Sequence, residues 1–461
     1  MKLFRIYLAI LSIIIFTGCT GGNAEQTLKQ QMHALVNNQQ KTLTEISGLQ
    51  MVVIKNGEII FEHAEGLARR KIGAEVPLTS DHKVRIASIS KYVLTVAFMS
   101  LVEEGKVDLD EDISEYLGFK LRNPHFPDRK ITARHVLSHT SSIRDASSYF
   151  MTIEGDFRDF FRPGTTDTSA EYYENGKHFS SGNNQGPGDY FTYSNLNFGI
   201  ISGIIENVSG QRMDLFVKEK IAVPLGLNIS FNACDLYQNN FSALATLYRR
   251  GDGGETWDTE GPWLEQVDGD PVGCFYGSPK YKRGETPDKS ILDTYRIGHN
   301  PTLFSPQGGL RASAKDLAKI MLAILNDGKN SPTTIISKTS IAEMIKPVWR
   351  YDDKLKNGHT GGEGDLNDPK ANGMMTTYGL STHIIDLKNW GLTNESKKLY
   401  GHLGSAYGLQ GQFWFDPITK DGFVALITGL GDNPDKAEKT IPLLAIEEAV
   451  LRLGLNAMEQ D

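Results

Sequence analysis

Ser88-Ile89-Ser90-Lys91 sets a hydroxyl three residues ahead of an amine, at the head of an apolar-periodic run that reaches Glu104 and stops at Gly105. On a helix this spacing puts both side chains on one face, about 5–6 Å apart at Cβ. A serine hydroxyl is a poor nucleophile until a neighbouring base takes its proton, and a desolvated lysine amine can be that base. The pair is the first half of an acyl-transfer site. The same spacing recurs at Ser80 and Lys83, but in a polar, turn-like stretch with no helix after it. Tyr92, Val93, Val96, Ala97, Met99, Leu101 and Val102 follow Ser88 in the pattern of a buried helix. Spacing alone also leaves Ser88 open to the plainer reading of a helix N-cap.

Two further elements could complete such a site. Pro187-Gly188-Asp189-Tyr190-Phe191 leads to Tyr193-Ser194-Asn195, which opens a second apolar helix through Ile204, Ile205 and Val208, ended by Gly210. His402-Leu403-Gly404 lies on or beside a strand late in the chain. Each has decoys: Tyr173-Glu174-Asn175 and Tyr237-Gln238-Asn239 for one, His359-Thr360-Gly361 for the other. Only Tyr193 directly opens an apolar helix, and only His402 is followed by two strands and a terminal helix. His359 sits in a Gly/Asp-rich loop, a poor support for a rigid catalytic edge.

The elements that must hold these residues are readable in outline. Met51–Ile54 and Ile59–Phe61 flank Asn56-Gly57, the signature of a two-residue hairpin turn. The helix from Ser88 comes next, then a shorter one over Asp110–Leu117, and a third over 131–137 with Thr132 as its N-cap. Residues 144–190 read mainly as loop; helices return at Tyr193 and at Met213–Ala222. Residues 250–306 have little periodicity and many Gly, Asp, Pro and Trp, and a second such insertion spans 351–372. Ala314–Asn326 is helical, Tyr378–Ile385, Gln410–Asp416 and Gly422–Thr428 are strands, and Lys436–Leu453 closes as an amphipathic helix. Strands at both ends around a helical middle predict an α/β (α+β) lobe interrupted by an inserted all-helical lobe.

Length and charge narrow the function classes. A chain of 461 residues has room for a generous core, and its net charge of −8 is spread without a basic stripe, which argues against nucleic acid as a partner. Lys2 and Arg5, the apolar stretch Ile6–Phe16 and then Phe16-Thr17-Gly18-Cys19 read as a secretory signal too short for a comfortable membrane span. Small residues directly before Cys19 resemble a bacterial lipobox, implying cleavage there and lipid attachment to Cys19. Residues 20–45 are polar and Gln/Asn-rich and read as a tether, with room for one short helix near Leu28–Val36. Cys234 and Cys274 can pair in an exported protein or stand as two buried thiols.

With these residues in order, the chain resembles the serine β-lactamase and penicillin-binding-protein superfamily, in the class C-like branch of D,D-peptidases, D-aminopeptidases and esterases. The resemblance covers roughly residues 46–455 and includes the stretches Leu101–Leu109, Leu137–Ile143, Ser209-Gly210 and Gly308–Leu317. It implies a β-lactamase-like fold, an antiparallel sheet flanked by helices, in one domain over 46–456. The α/β lobe would take about 46–100 and 305–456, and the helical lobe about 101–304. It further implies that Ser88 attacks a carbonyl carbon and becomes acylated, while Lys91 and Tyr193 share proton transfer. A nearby ammonium would favour the phenolate of a tyrosine. Asn195 would bind the substrate amide or orient Lys91. His402, Gly404 and Ser405 would form the substrate-binding edge, with the backbone N–H groups of Ser88 and Ser405 as the oxyanion hole.

One departure stands out. Penicillinases of this group usually carry lysine where His402 stands, and a histidine is only partly charged near neutral pH. A weaker carboxylate anchor lowers the expectation of β-lactam hydrolysis and favours small amides or esters, D-amino-acid peptides among them. The alternatives are a carboxylesterase, a β-lactamase, or a penicillin-binding sensor that acylates without turnover. His139 reads as a packing residue, and Asp268-Gly-Asp270 and Glu363-Gly-Asp365 lack a full calcium-ligand pattern. Trp257, Trp263, Phe275 and Tyr276 either wall the cleft or hold the first insertion down. No metal or cofactor is implied, and the expected location is the cell envelope, lipid-anchored.

Overall fold

A computed structural model of the chain describes residues 21–39, 43–164, 166–251, 258, 260–325, 334–361, 373–430 and 441–459. The signal segment with Cys19, Trp257 and Glu363–Asp365 lie outside the described residues. The elements used below are α1 (Gly21–Val36), β1 (Gly48–Lys55), β2 (Glu58–Arg69), β3 (Val76–Pro77), α2 (Ile89–Glu103), α3 (Ala133–Leu137) and α4 (Leu196–Ser209). After them come α5 (Ala314–Leu325), β4 (Trp349–Arg350), β5 (Thr377–Tyr378), β6 (His383–Asp386), β7 (Lys398–Ala406), β8 (Leu409–Asp416), β9 (Asp421–Thr428) and α6 (Ala445–Glu459).

These nine strands form one sheet, ordered β4-β5-β6-β7-β8-β9-β1-β2-β3, with every adjacent pair antiparallel, and the described residues hold three small two-stranded sheets besides. Strands from the two ends of the sequence meet at β9 and β1, from Gly48 opposite Thr428 to Ile54 opposite Gly422. The helical segment between β3 and β4 is thus an insertion into a sheet built from both ends of the sequence. The hairpin turn is as expected: Asn56 and Gly57 both have positive φ, 52° and 78°, which a type I′ turn requires.

The central strands read as unbroken apolar runs because both faces are covered. Val52, Ile54, Phe413, Phe415, Val424 and Leu426 point into a core shared with α2, α4 and α5. The alternating residues Met51, Val53, Trp414, Phe423, Ala425 and Ile427 point into a second core under α1 and α6. A fully buried apolar side chain contributes about 1.5–3 kcal/mol, so the two layers clamp the sheet between helices. α2 is buried almost all round, which makes its first turn a rigid platform.

Several expectations need correction. Residues 20–45, read as a tether, contain α1, a packed helix whose Leu28, Met32 and Val36 are buried against the outer face of the sheet. Their four-residue spacing forms the stripe a docked helix needs. Over 110–117 only Ser114–Leu117 is α-helical. The strand expected over 378–385 is two short strands, broken where Ser381 takes a φ of 45°. The last helix begins at Ala445 and not at Lys436, residues 431–440 lying outside the described part. Cys234 and Cys274 are bonded to each other, with Cα atoms 5.0 Å apart, which closes the first insertion onto the end of the helical segment.

Candidate active site

Ser88 sits immediately ahead of α2 and makes no capping hydrogen bond through its side chain, so the N-cap reading falls away. Ala87 before it has a φ of +48°, a conformation rarely adopted by a non-glycine residue. Main-chain bonds impose this turn: Ile86 N–H donates to the Leu310 carbonyl, and the Ser90 hydroxyl accepts from Leu310 N–H. The decoy pair is disposed of just as clearly, since Lys83 is bound to Asp316 at 2.6 Å.

Lys91 is fully buried, and its ammonium nitrogen reaches three oxygens. It donates to Ser88 Oγ at 2.9 Å, to Asn195 Oδ1 at 2.7 Å and to the Gln307 carbonyl at 2.9 Å. The same nitrogen lies 4.8 Å from the centre of the Tyr193 ring and 5.5 Å from that of Phe198. Three distant segments therefore converge on one amine: the head of α2, the head of α4 and the loop before Leu310. Of the two roles open to Asn195, this geometry fits the orienting of Lys91.

Asp145, which sequence reasoning did not single out, holds that arrangement. One carboxylate oxygen accepts from the Ser194 hydroxyl and Leu196 N–H, both at 2.9 Å. The other accepts from Asn195 N–H at 2.9 Å and from the Asn195 side-chain amide at 3.0 Å. Asp145 thus caps α4 from 50 residues upstream and turns the Asn195 carbonyl oxygen toward Lys91. Its only sequence signal is adjacency to the Leu137–Ile143 stretch. Replacing Asp145 by alanine is expected to lower kcat about 10- to 100-fold with KM little changed, alongside a capping loss of about 0.5–2 kcal/mol. Asp145→Asn, which keeps one acceptor, should recover part of kcat. Steady-state kinetics beside a urea melt would separate the two effects, because simple destabilisation leaves the kcat of the folded fraction unaltered.

Tyr193 is almost fully buried and stacks on His139, ring centres 4.3 Å apart. His139 accepts from Ser194 N–H at 3.1 Å through Nδ1. Burial, with Lys91 and His402 nearby, pushes its pKa well down, so the ring is neutral. It serves as the floor under the tyrosine.

His402 does not match its expected role. The ring is buried, Nδ1 donates to the Leu403 carbonyl at 2.5 Å, and Nε2 accepts from the Tyr378 hydroxyl at 2.9 Å. Burial and the neighbouring Lys91 push its pKa down to about 3. A neutral ring with both nitrogens engaged cannot anchor a substrate carboxylate by charge. His402 instead braces Tyr378 behind Tyr193, whose ring centre is 6.3 Å away.

The rest of β7 runs close to the turn before Ser88. A Cβ on Gly404 would lie 2.6 Å from the Ile86 carbonyl, so only glycine lets β7 approach the turn before Ser88 this closely. Ser405, next along, is exposed at the rim, and its hydroxyl accepts from the Gln410 amide at 3.0 Å. His359 is buried and its N–H donates to the Phe191 carbonyl, so that decoy packs beneath the Tyr193 segment. In the first insertion Trp263 is pinned between Arg70 and Arg250, holding the loop down, whereas Phe275 and Tyr276 line a cavity. Asp268 pairs with Arg311 through both oxygens.

Comparison with known proteins bears on this geometry. The family profile described as Beta-lactamase matches residues 26–447. Esterase EstB of Burkholderia gladioli is 29% identical over 186 residues, covering 39% of this chain and 45% of the esterase. D-aminopeptidase of Brucella anthropi is 26% identical over 177 residues, covering 38% of this chain and 31% of that protein. The chain thus matches less than half the length of these curated relatives. Among solved structures, EstCE1, a hydrolase with promiscuous acyltransferase activity, superposes with a TM-score of 0.61 at 19% identity, covering 95% of this chain and 100% of that one. A class C beta-lactamase gives 0.61 at 15% identity, covering 95% and 98%. These structural likenesses establish the fold, an antiparallel sheet with helices on its faces.

Proposed function

Because the chain belongs to the beta-lactamase family, we propose that it is a serine hydrolase that cleaves small amides or esters, D-amino-acid peptides among them, through an acyl-enzyme on Ser88. The observation that carries this reading is the three-way seat of the Lys91 nitrogen. Two of its partners, the Asn195 amide oxygen and the Gln307 carbonyl, can only accept. They fix two N–H directions, and another faces Ser88 Oγ, which unlike those two can also give up a proton.

The proposed steps follow from that asymmetry. With Lys91 as the free amine, the Ser88 proton moves to it as Oγ bonds to the substrate carbonyl carbon. The carbonyl oxygen takes up the electron pair and is held by the backbone N–H groups of Ser88 and Ser405. Support for that pair is the approach of β7 to the Ser88 turn at Gly404. When the carbonyl reforms, the bond to the leaving amine or alcohol breaks, and the proton reaches it through Lys91 and Tyr193. Water then hydrolyses the ester on Ser88 by the reverse relay. A neutral, enclosed His402 disfavours substrates that need a permanent cation there, which favours amides and esters over β-lactams.

We also place the protein in the cell envelope, anchored by lipid on Cys19. The basic, apolar and small-residue order of residues 1–19 supports this, and a disulfide suits an oxidising compartment. A fluorophosphonate probe should label the purified chain once, on the peptide containing Ser88, and not label Ser88→Ala. Labelling that survives in Ser88→Ala would overturn the assignment of the nucleophile. Steady turnover of D-amino-acid amides or nitrophenyl esters is expected beside it; single acylation without turnover would reduce the chain to a sensor.

A further inference from the structure

A cavity of about 750 Å³ lies beside the proposed nucleophile. Gln307, whose carbonyl holds Lys91, is in its wall. So are Arg85, on the segment leading into Ser88, and Tyr407, two residues beyond Ser405. The rest of the wall comes from segments remote in sequence and sets aromatic rings beside polar and acidic residues, Glu265, Asp268 and Asp270 among them. Phe150 meets Tyr276 edge-on with ring centres 4.7 Å apart, and Phe275 meets Phe304 at 5.5 Å. Tyr276 and Tyr407 remain about half exposed, 50% and 45%, although a chain usually covers such rings where nothing else does.

The Arg85 guanidinium projects into this recess, with Lys280 and Arg311 also in its wall. Arg85 donates from Nε to the Gly308 carbonyl at 2.9 Å and lies over the Tyr407 ring at 4.7 Å. Among the described residues its two terminal nitrogens have no hydrogen-bond partner. None of the three carboxylates in the wall pairs with Arg85. Asp268 spends both oxygens on Arg311, while Glu265 and Asp270 accept from the main-chain N–H groups of Asp270 and Arg283. A guanidinium fork with free donors in a half-buried aromatic pocket matches a planar anion carried on a flat apolar group.

We infer that this cavity is a substrate-selecting subsite that takes an aromatic group bearing a carboxylate, with Arg85 pairing to the carboxylate and Phe150, Tyr276 and Tyr407 packing on the ring. The inference rests on the proposed hydrolase reading and narrows it: the favoured amide or ester carries its negative charge on the side facing Arg85. His402, where the family resemblance would have put a cationic anchor, has no part in this recognition.

Binding tests this independently of turnover. Phenylacetate and phenylacetamide differ only in the anionic group, and calorimetric titration of each into Ser88→Ala avoids chemistry altogether. Phenylacetate is expected to bind at least tenfold more tightly. Arg85→Gln in the same background should remove the preference and leave phenylacetamide unchanged within a factor of two. Tyr276→Ala, at a half-exposed ring, should weaken both ligands together. Equal binding of the two ligands, or a preference that persists in Arg85→Gln, would overturn the inference. Both readouts are indifferent to whether Ser88 is the nucleophile, so failure here and failure of the probe experiment are separate results.

Discussion

Replacing Lys91 by methionine is expected to slow acylation by about 10²–10⁴-fold, the range a positioned general base contributes. Methionine fills nearly the same volume, so the fully buried site stays packed. The variant removes the one group that faces Ser88 Oγ at 2.9 Å and leaves the Asn195 oxygen and the Gln307 carbonyl without that donor. An unsatisfied buried acceptor costs about 1–3 kcal/mol, so lower stability accompanies the kinetic effect without causing it. The rate of fluorophosphonate labelling, measured on protein shown to be folded by circular dichroism, reports acylation directly. Labelling within threefold of the unmodified rate would show that Lys91 is not the base. Tyr193→Phe divides the relay further: a large loss there and a small one in Lys91→Met would move the base to the phenol.

The parts of the site that were legible are those in which a local spacing does the positioning. Ser88 with Lys91 is placed by the first turn of an apolar helix, and Tyr193 with Asn195 by the residues leading directly into another, so their convergence required only that the helices pack. Asp145, Gln307 and Arg85 were not legible in this sense. Asp145 acts on a helix 50 residues away, Gln307 acts through its main-chain carbonyl, and the Arg85 donors matter because of which loops close over them. His402 was read correctly as a strand residue and incorrectly as a substrate anchor. The hydroxyl that engages it belongs to Tyr378, across the break at Ser381 where one continuous strand had been expected. α1 was legible as a short helix near Leu28–Val36; its polar composition concealed that it begins at Gly21 and docks on the sheet. In the sheet, two-sided burial makes the central strands β1, β8 and β9 near-continuous apolar runs, and these were the easiest strands to place.

The cluster of buried, neutral imidazoles that braces the site predicts marked acid lability. Burial lowers the pKa of His383 to about 4 and of His402 to about 3, from a usual 6.5. His135 is lowered to about 4, and His139 is also pushed well down, in each case chiefly by burial. A group whose pKa is depressed in the folded state binds its proton more readily when unfolded. Its contribution to stability is therefore intact above pH 6.5 and is lost as pH falls toward the folded value. At pH 4.5 His383, His402 and His135 each cost about 2–3 kcal/mol, two pKa units at 1.36 kcal/mol each. Glu206 works the other way. Burial raises its pKa to about 7 from 4.5, so its penalty grows as pH rises through that window and is relieved on acidification. It offsets one of these three histidines, leaving a net uptake of nearly two protons on unfolding around pH 5.5 and a slope of about 2–3 kcal/mol per pH unit, with His139 acting in the same direction. Against a total stability of about 5–15 kcal/mol this is a large fraction. The urea midpoint should fall steeply between pH 7 and pH 5, and more steeply in Glu206→Gln, where the offsetting group is gone. A midpoint that stays level or rises on acidification would mean that these rings are not held neutral around Lys91 and Tyr193, and the packing assigned to the site would have to be redrawn.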